Sequence, residues 1–263
     1  MVDPTDPIGK ARQAVTQRAE LPGMSLMEHL DELRRRIVHS AVYLGAGFAI
    51  AYFFHERLYG LVQQPLDRLH IKLNYTHPMD ALNLYLQVSL IGGAILASPF
   101  ILYQVWLFIA PGLYQKERRF VVPFMAATVG LFLAGASFGY FFVLPGALKI
   151  LIVDFGKKFN PIITIEEYTG FFLSIILGLG ISFEMPILIF FLALFGIVSP
   201  RFLWKNIRYA VLAVFLVAAI ITPSPDPWTM CIYAIPMLCL YLIGIGVAWW
   251  VHPSRRKGKE AAS

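Results

Sequence analysis

The sequence predicts an all-α, polytopic membrane protein with six transmembrane helices and both termini cytoplasmic. Three features point to this class. Of the 263 residues, 58% are hydrophobic and only 14% charged, too little charge to wet the surface of a soluble domain this large. The apolar residues fall in six blocks, most near the ~20 residues that cross a hydrocarbon core as a helix. Lys and Arg are divided unevenly between alternate connections, as retention of positive charge on the cytoplasmic side requires.

Taken in order, residues 1–21 lack apolar periodicity and are expected to be a disordered cytoplasmic segment. Residues 22–252 hold the six-helix membrane domain, with spans at about 37–55, 84–109, 120–143, 168–198, 207–221 and 229–251, and 253–263 form a basic cytoplasmic tail. The second and fourth blocks are long enough to tilt, break or protrude, and the fifth is short for a full crossing, which suggests a thinned bilayer around it. With the N-terminus inside, 16 of the 22 Lys and Arg lie on the cytoplasmic side and six outside. The net charge of +6 then reflects topology and contact with anionic lipid headgroups, not nucleic-acid binding. No cleavable signal peptide is expected, because the first apolar block begins late, behind a charged segment.

Residues 22–36, PGMSLMEHLDELRRR, carry a capping-box pattern at Ser25 and Glu28 and an apolar face of Leu26, Leu30, Leu33 and Ile37. They predict an amphipathic helix on the membrane surface that turns into the first span. Glu28, Glu32 and Arg36 form one i, i+4 row on it, and Asp31 lies four before Arg35. In the second connection, FIAPGLYQKERRF, Pro111-Gly112 ends the span and Glu117 stands among Lys116, Arg118 and Arg119. Gly135 and Gly139 form a G-x-x-x-G in the third span, which permits close helix approach within the bundle or to a partner.

In the fourth span, ISFEMPI places Glu184 in an otherwise apolar run. An ionised carboxylate near the bilayer centre costs at least ~2.5–3.5 kcal/mol, so Glu184 needs protonation, water or a polar partner. Pro186 has no N–H and frees the carbonyl of Ser182, predicting a bend with a polar notch. Cys231 and Cys239, two helical turns and ~12 Å apart, cannot pair within a helix. No phosphate-binding loop, H-E-x-x-H or C-x-x-C occurs, and none of the six histidines has a convincing carboxylate or Cys partner at metal spacing. The expected protein is therefore not an enzyme and uses no cofactor or metal.

HLDELRRRI, SPFILYQVWLFIAPGLYQKERRFVVP, ISFEMPI, TPSPD and AIPM occur in that order over about residues 25–250, and together they resemble the TatC family of twin-arginine translocase proteins. The resemblance implies a core receptor in a bacterial-type cytoplasmic (inner) membrane that binds the twin-arginine signal peptides of folded proteins for export driven by the proton gradient. It implies recognition of the arginine pair by Glu32 and Glu117, with Arg34 orienting Glu32, and Phe108 either packing on the peptide's apolar stretch or anchoring the interface. A carboxylate accepts the planar guanidinium fork bidentately, which distinguishes Arg from Lys. Glu184 matches the family's intramembrane acid, implying a docking point for a partner helix. Pro65 matches a position that shapes an outer cap of short helices. Asp226, amid Pro223, Pro225 and Pro227, matches an outer-turn acid that either caps the following helix or acts in function. Single-span TatA- and TatB-like proteins, membrane lipids and self-association are the implied partners. The competing reading is a proton- or ion-coupled small-solute transporter with Glu184 as proton carrier, which calls for several converging intramembrane polar groups where the sequence offers almost none besides Glu184.

Overall fold

The computed structural model describes residues 26–109, 121–156, 158–222 and 227–251. Among these, regular structure is helical apart from one isolated parallel bridge between Asn74 and Thr164. Residues 1–25, Glu117 and Asp226, together with the expectations placed on them, lie outside the described residues.

Helix α1, Leu26–Phe53, runs for 28 residues. The surface helix and the first span are thus one helix, where the sequence predicts a turn between them. The reason is local: neither Pro nor Gly occurs from Leu26 to Leu44, so nothing interrupts the backbone hydrogen-bond ladder. Helix α2, His55–Asp67, is short, and α3, Asp80–Ile109, crosses back over 30 residues with Pro99 inside it. Helix α4, Val121–Phe138, continues through a π-helical turn, Gly139–Val143, into the short α5, Leu144–Leu148, and a second π-helical stretch, Lys149–Asp154. Pro145 sits between these wide turns, where a ring that clashes with the carbonyl four residues earlier favours added backbone.

Thr164 caps α6, Ile165–Ser182, by accepting a hydrogen bond from the Glu167 N–H at 3.3 Å, and Glu166 and Glu167 complement the helix dipole. Phe183 and Glu184 interrupt the span before α7, Met185–Leu194, where Pro186 predicts a break. Gly196, at φ +72, ends that segment in the left-handed conformation that glycine adopts at little cost. Helix α8, Pro200–Lys205, is capped by Ser199 and leads into α9, Ile207–Ile221; α10, Pro227–Val251, completes the chain.

Among the described residues, five helical stretches are long and apolar enough to cross a membrane: Met27–Phe53, Asp80–Phe108, Pro123–Asp154, Ile165–Leu194 and Pro227–Val251. The sixth, α9, has 15 residues and is about 22 Å long against a ~30 Å hydrocarbon core. Among the described residues, five long apolar stretches and this shorter helix thus stand where the sequence places six blocks, and the third extends well past the expected end at 143.

The core gathers α2, α3, α4, α5, α6, α9 and α10 around Leu66, Leu144, Ile175, Leu179 and Tyr233, all inaccessible to solvent. A second cluster joins α7, α8 and α10 through Ile189, Ala193 and Ala248, and the Tyr241 hydroxyl donates to the Leu203 carbonyl at 2.9 Å. Gly135 and Gly139 receive α6: a Cβ at Gly135 would stand 2.6 Å from the Leu179 carbonyl oxygen. The G-x-x-x-G is thus used inside the bundle. Only 11% of the first span's apolar window is buried, against 39–44% in the other four, so α1 lies at the bundle's edge and packs chiefly along α3.

Candidate functional site

Helices α1 and α3 run antiparallel and meet most closely at Gly47 and Gly93. A Cβ on Gly47 would lie 2.5 Å from the Gly93 carbonyl oxygen, and one on Gly93 would lie 2.5 Å from the Phe48 nitrogen. From this crossing toward the start of α1 and the end of α3, the two helices enclose a groove of about 550 Å³ lined by Leu33, Ile37, Leu44, Ile101, Val105 and Phe108, with Arg36, Ser40 and Gln104 as its polar members. Its walls are apolar because α1 turns its Leu33–Ile37–Leu44 stripe toward α3.

The groove's polar group spans both helices. Arg36 Nη2 donates to Glu32 Oε1 at 3.0 Å, and Arg36 Nη1 donates to Gln104 Oε1 at 3.1 Å. The Glu32 and Arg36 side chains are 15% and 23% exposed, while Gln104 is buried at 4%. Two atoms of the pair, Glu32 Oε2 and Arg36 Nε, are buried without a hydrogen-bond partner among the described residues. The pair therefore makes one bond where an aligned carboxylate and guanidinium make two in parallel. Phe108 lines the same groove and stacks on His29 with ring centroids 4.5 Å apart. Arg34 is exposed, and the guanidinium bonded to Glu32 is that of Arg36 and not that of Arg34. The structure thus places Phe108 in the groove and Glu32 beside it, bonded to the lining Arg36, and adds Gln104 on the facing helix. Gln104 is assigned no role by the sequence, although an amide deep within an apolar span is a legible signal.

Glu184 lies at the interruption between α6 and α7. Its Oε1 is buried without a hydrogen-bond partner among the described residues. The neighbouring Ser182 hydroxyl donates to the Gly178 carbonyl at 2.6 Å, so its proton does not go to the carboxyl. The helix interruption predicted at Pro186 is present, and the Ser182 proton is spent within its own helix.

At the opposite end of the molecule from the groove, Pro65 is buried inside α2. Pro has no N–H for the carbonyl four residues earlier, and the Tyr140 hydroxyl lies 2.9 Å from that Leu61 carbonyl and 2.9 Å from Gln64 Oε1. Tyr168 donates to the Val62 carbonyl at 2.6 Å. Asp80, 5% exposed, accepts from the Thr76 N–H at 2.7 Å and the His77 N–H at 2.8 Å, closing the loop that enters α3. Asn74 exchanges two backbone bonds of 2.9 Å with Ile163 and Ile165, which ties the two outer connections together. His77, Asp80 and Glu166 bring ligand atoms within 4.8 Å of one another, a grouping across two connections that sequence spacing did not reveal; Asp80 Oδ2 is committed to the loop.

The family model described as Sec-independent protein translocase protein (TatC) matches residues 28–236. A Sec-independent protein translocase protein TatC of Koribacter versatilis is 53% identical over 98% of this chain and 97% of its own length, and TatCy of Bacillus subtilis is 34% identical over 93% and 96%. A crystal structure titled twin arginine translocase receptor TatC superposes with a TM-score of 0.78 at 35% identity, covering 85% of this chain and 99% of that one.

Proposed function

The chain belongs to the TatC family of Sec-independent protein translocase proteins, and from that premise we propose that it is the core receptor of a twin-arginine translocase in a bacterial-type inner membrane, with both termini cytoplasmic. It is a multi-pass component of protein transport and not an enzyme. The observation that carries the receptor reading is the groove between α1 and α3, an apolar trough whose polar member Arg36 is paired with the adjoining Glu32 carboxylate.

In this reading the groove end faces the cytoplasm, in agreement with the bias of Lys and Arg toward that side. A signal peptide places one arginine on Glu32 and the other on Glu117, and its apolar stretch runs along the groove against Phe108. Each exposed guanidinium–carboxylate pair would contribute only ~0–1 kcal/mol. Partial desolvation of Glu32 beside apolar walls raises that contribution, and each Leu or Phe of the peptide buried in the trough adds about 1.5–3 kcal/mol. Arg34, exposed near Glu32 on the same helix, keeps the local potential positive, so a cationic peptide is admitted only where a carboxylate receives it.

Glu184 is proposed as the polar docking point for a single-span TatA- or TatB-like partner beside the short α9, where the thinned bilayer lowers the cost of a polar contact. Pro65 shapes the outer cap, and Asp226 belongs to the outer turn before α10. Residues 1–21 and 253–263 flank the membrane domain as cytoplasmic segments, and self-association and lipid contacts complete the partners. The proton gradient would supply the energy.

Binding of a fluorescent peptide carrying adjacent arginines and an apolar segment, measured on the full chain in lipid nanodiscs, tests the reading. Glu32→Ala and Glu117→Ala should each weaken binding with insertion unchanged. Wild-type affinity in both variants would remove these carboxylates from recognition.

A further inference from the structure

We propose that Arg36 is a built-in occupant of the Glu32 carboxylate, a latch between α1 and α3 that the guanidinium of an incoming peptide must displace. The proposal rests on the receptor reading above and adds to it the residue that sets the affinity threshold.

Three observations support a latch. With Arg36 in place, Glu32 Oε1 holds Arg36 Nη2 at 3.0 Å and Oε2 is buried, so an incoming guanidinium meets the carboxylate fork-on only once Arg36 has moved. Arg36 is anchored across the groove as well, with Nη1 on the buried Gln104 at 3.1 Å, so the contact joins the two helices that form the trough. The contact is also incomplete, since Glu32 Oε2 and Arg36 Nε have no partner among the described residues. A second guanidinium arriving as a fork would replace the one bond to Oε1 and add a bond to Oε2, for a net gain of one charge-assisted hydrogen bond. Arg36, released, keeps Gln104 as an acceptor and is already 23% exposed, so it reaches water without remaining buried and unpaired. Until the peptide arrives, the latch spares Glu32 the cost of a partly buried, unpaired charge.

An internal competitor weakens every ligand of the carboxylate by one common factor, because its own binding term is the same whatever displaces it. It therefore cancels from the ratio of affinities for two peptides. That distinguishes a latch from an orienting residue, whose loss weakens the Arg-Arg peptide, and from a direct specificity contact, whose loss changes the ratio.

The test measures dissociation constants for an Arg-Arg peptide and its Lys-Lys counterpart on the full chain in nanodiscs. Arg36→Gln should tighten both by about tenfold, the worth of one charge-assisted hydrogen bond, and leave their ratio unchanged. Part of that gain would come from removing a positive charge near a cationic ligand. Arg36→Lys therefore provides the second arm: it keeps the charge, but an ammonium cannot span Glu32 and Gln104 as the planar fork does, so both peptides should again tighten, by less. Wild-type or weakened affinity in Arg36→Lys, or a changed ratio in either variant, overturns the latch. Glu32→Gln separates the two levels. If it binds the Arg-Arg peptide like wild type, the receptor reading of Glu32 fails; if it loses binding while Arg36→Lys does not tighten, only the latch fails.

Discussion

Replacing Gly93 with alanine places a methyl group where α1 and α3 have no room for one. The added Cβ would stand 2.5 Å from the Phe48 nitrogen, 2.7 Å from Phe48 Cα and 2.8 Å from the Gly47 carbonyl carbon. All three are backbone atoms, so no rotamer change relieves the contact. Restoring the 3.4 Å at which ordinary contact begins requires the helices to part by about 0.9 Å, an overpacking cost of ~1–3 kcal/mol. The consequence for function lies 11 residues away along each helix, about 16 Å, where Arg36 and Gln104 join α1 to α3 at 3.1 Å. Carried to that point, the same separation takes the contact to roughly 4.0 Å, beyond hydrogen-bond range. The groove should widen, and the apolar segment of a signal peptide should lose contacts on one wall. Thermal unfolding in detergent and peptide affinity in nanodiscs are the two assays. Gly45→Ala is the internal control: the Cβ there meets nothing within 4 Å, and the same Gly-to-Ala gain in helix propensity applies. The expected result is a destabilised, weakly binding Gly93→Ala beside a Gly45→Ala at or above wild-type stability. If the two variants unfold and bind alike, the tight crossing does not set the groove.

Three further outcomes follow from single contacts. Tyr140→Phe leaves the Leu61 carbonyl, which Pro65 cannot serve, without its hydroxyl donor and should cost about 0.5–1.5 kcal/mol in thermal unfolding; Pro65→Ala in the same chain supplies a backbone N–H, and equal loss with and without it would refute this pairing. Asp80→Ala removes the acceptor for the Thr76 and His77 N–H groups and should cost ~1–2 kcal/mol, with faster hydrogen exchange at residues 76–83 as the local readout. Glu184→Ala should reduce site-specific crosslinking of a single-span partner to α9 and lower export, while Glu184→Gln retains much of both; undiminished crosslinking in the alanine variant would leave the helix interruption as the whole meaning of that motif.

The groove shows where residue patterns inform and where they stop. The i, i+4 spacing of Glu32 and Arg36 was legible as a helical row, and the structure pairs them at 3.0 Å. The same period selects Arg36 among three consecutive arginines as the partner of Glu32, where the family resemblance implies a role for Arg34. Gln104 lies 68 residues from Arg36 along the chain, and no period connects such positions. The entry segment is helical as its period predicts, and its continuity with the first span follows from the absence of Pro and Gly between Leu26 and Leu44.

By itself, the sequence determined the membrane class, the six apolar crossings, the short α9, the interruption at Glu184 and the family. Each of these depends on composition, on local period or on the backbone chemistry of Pro and Gly, all of which act within a few residues of the cause. The tertiary structure decided what those elements do to one another. The Gly47–Gly93 contact, the Arg36 bridge to Gln104 and the Tyr140 hydroxyl at the carbonyl left by Pro65 all depend on which helix faces lie together. Those choices are set by close packing and by the need of buried polar groups for partners, conditions that distant segments satisfy jointly and that neither segment specifies alone.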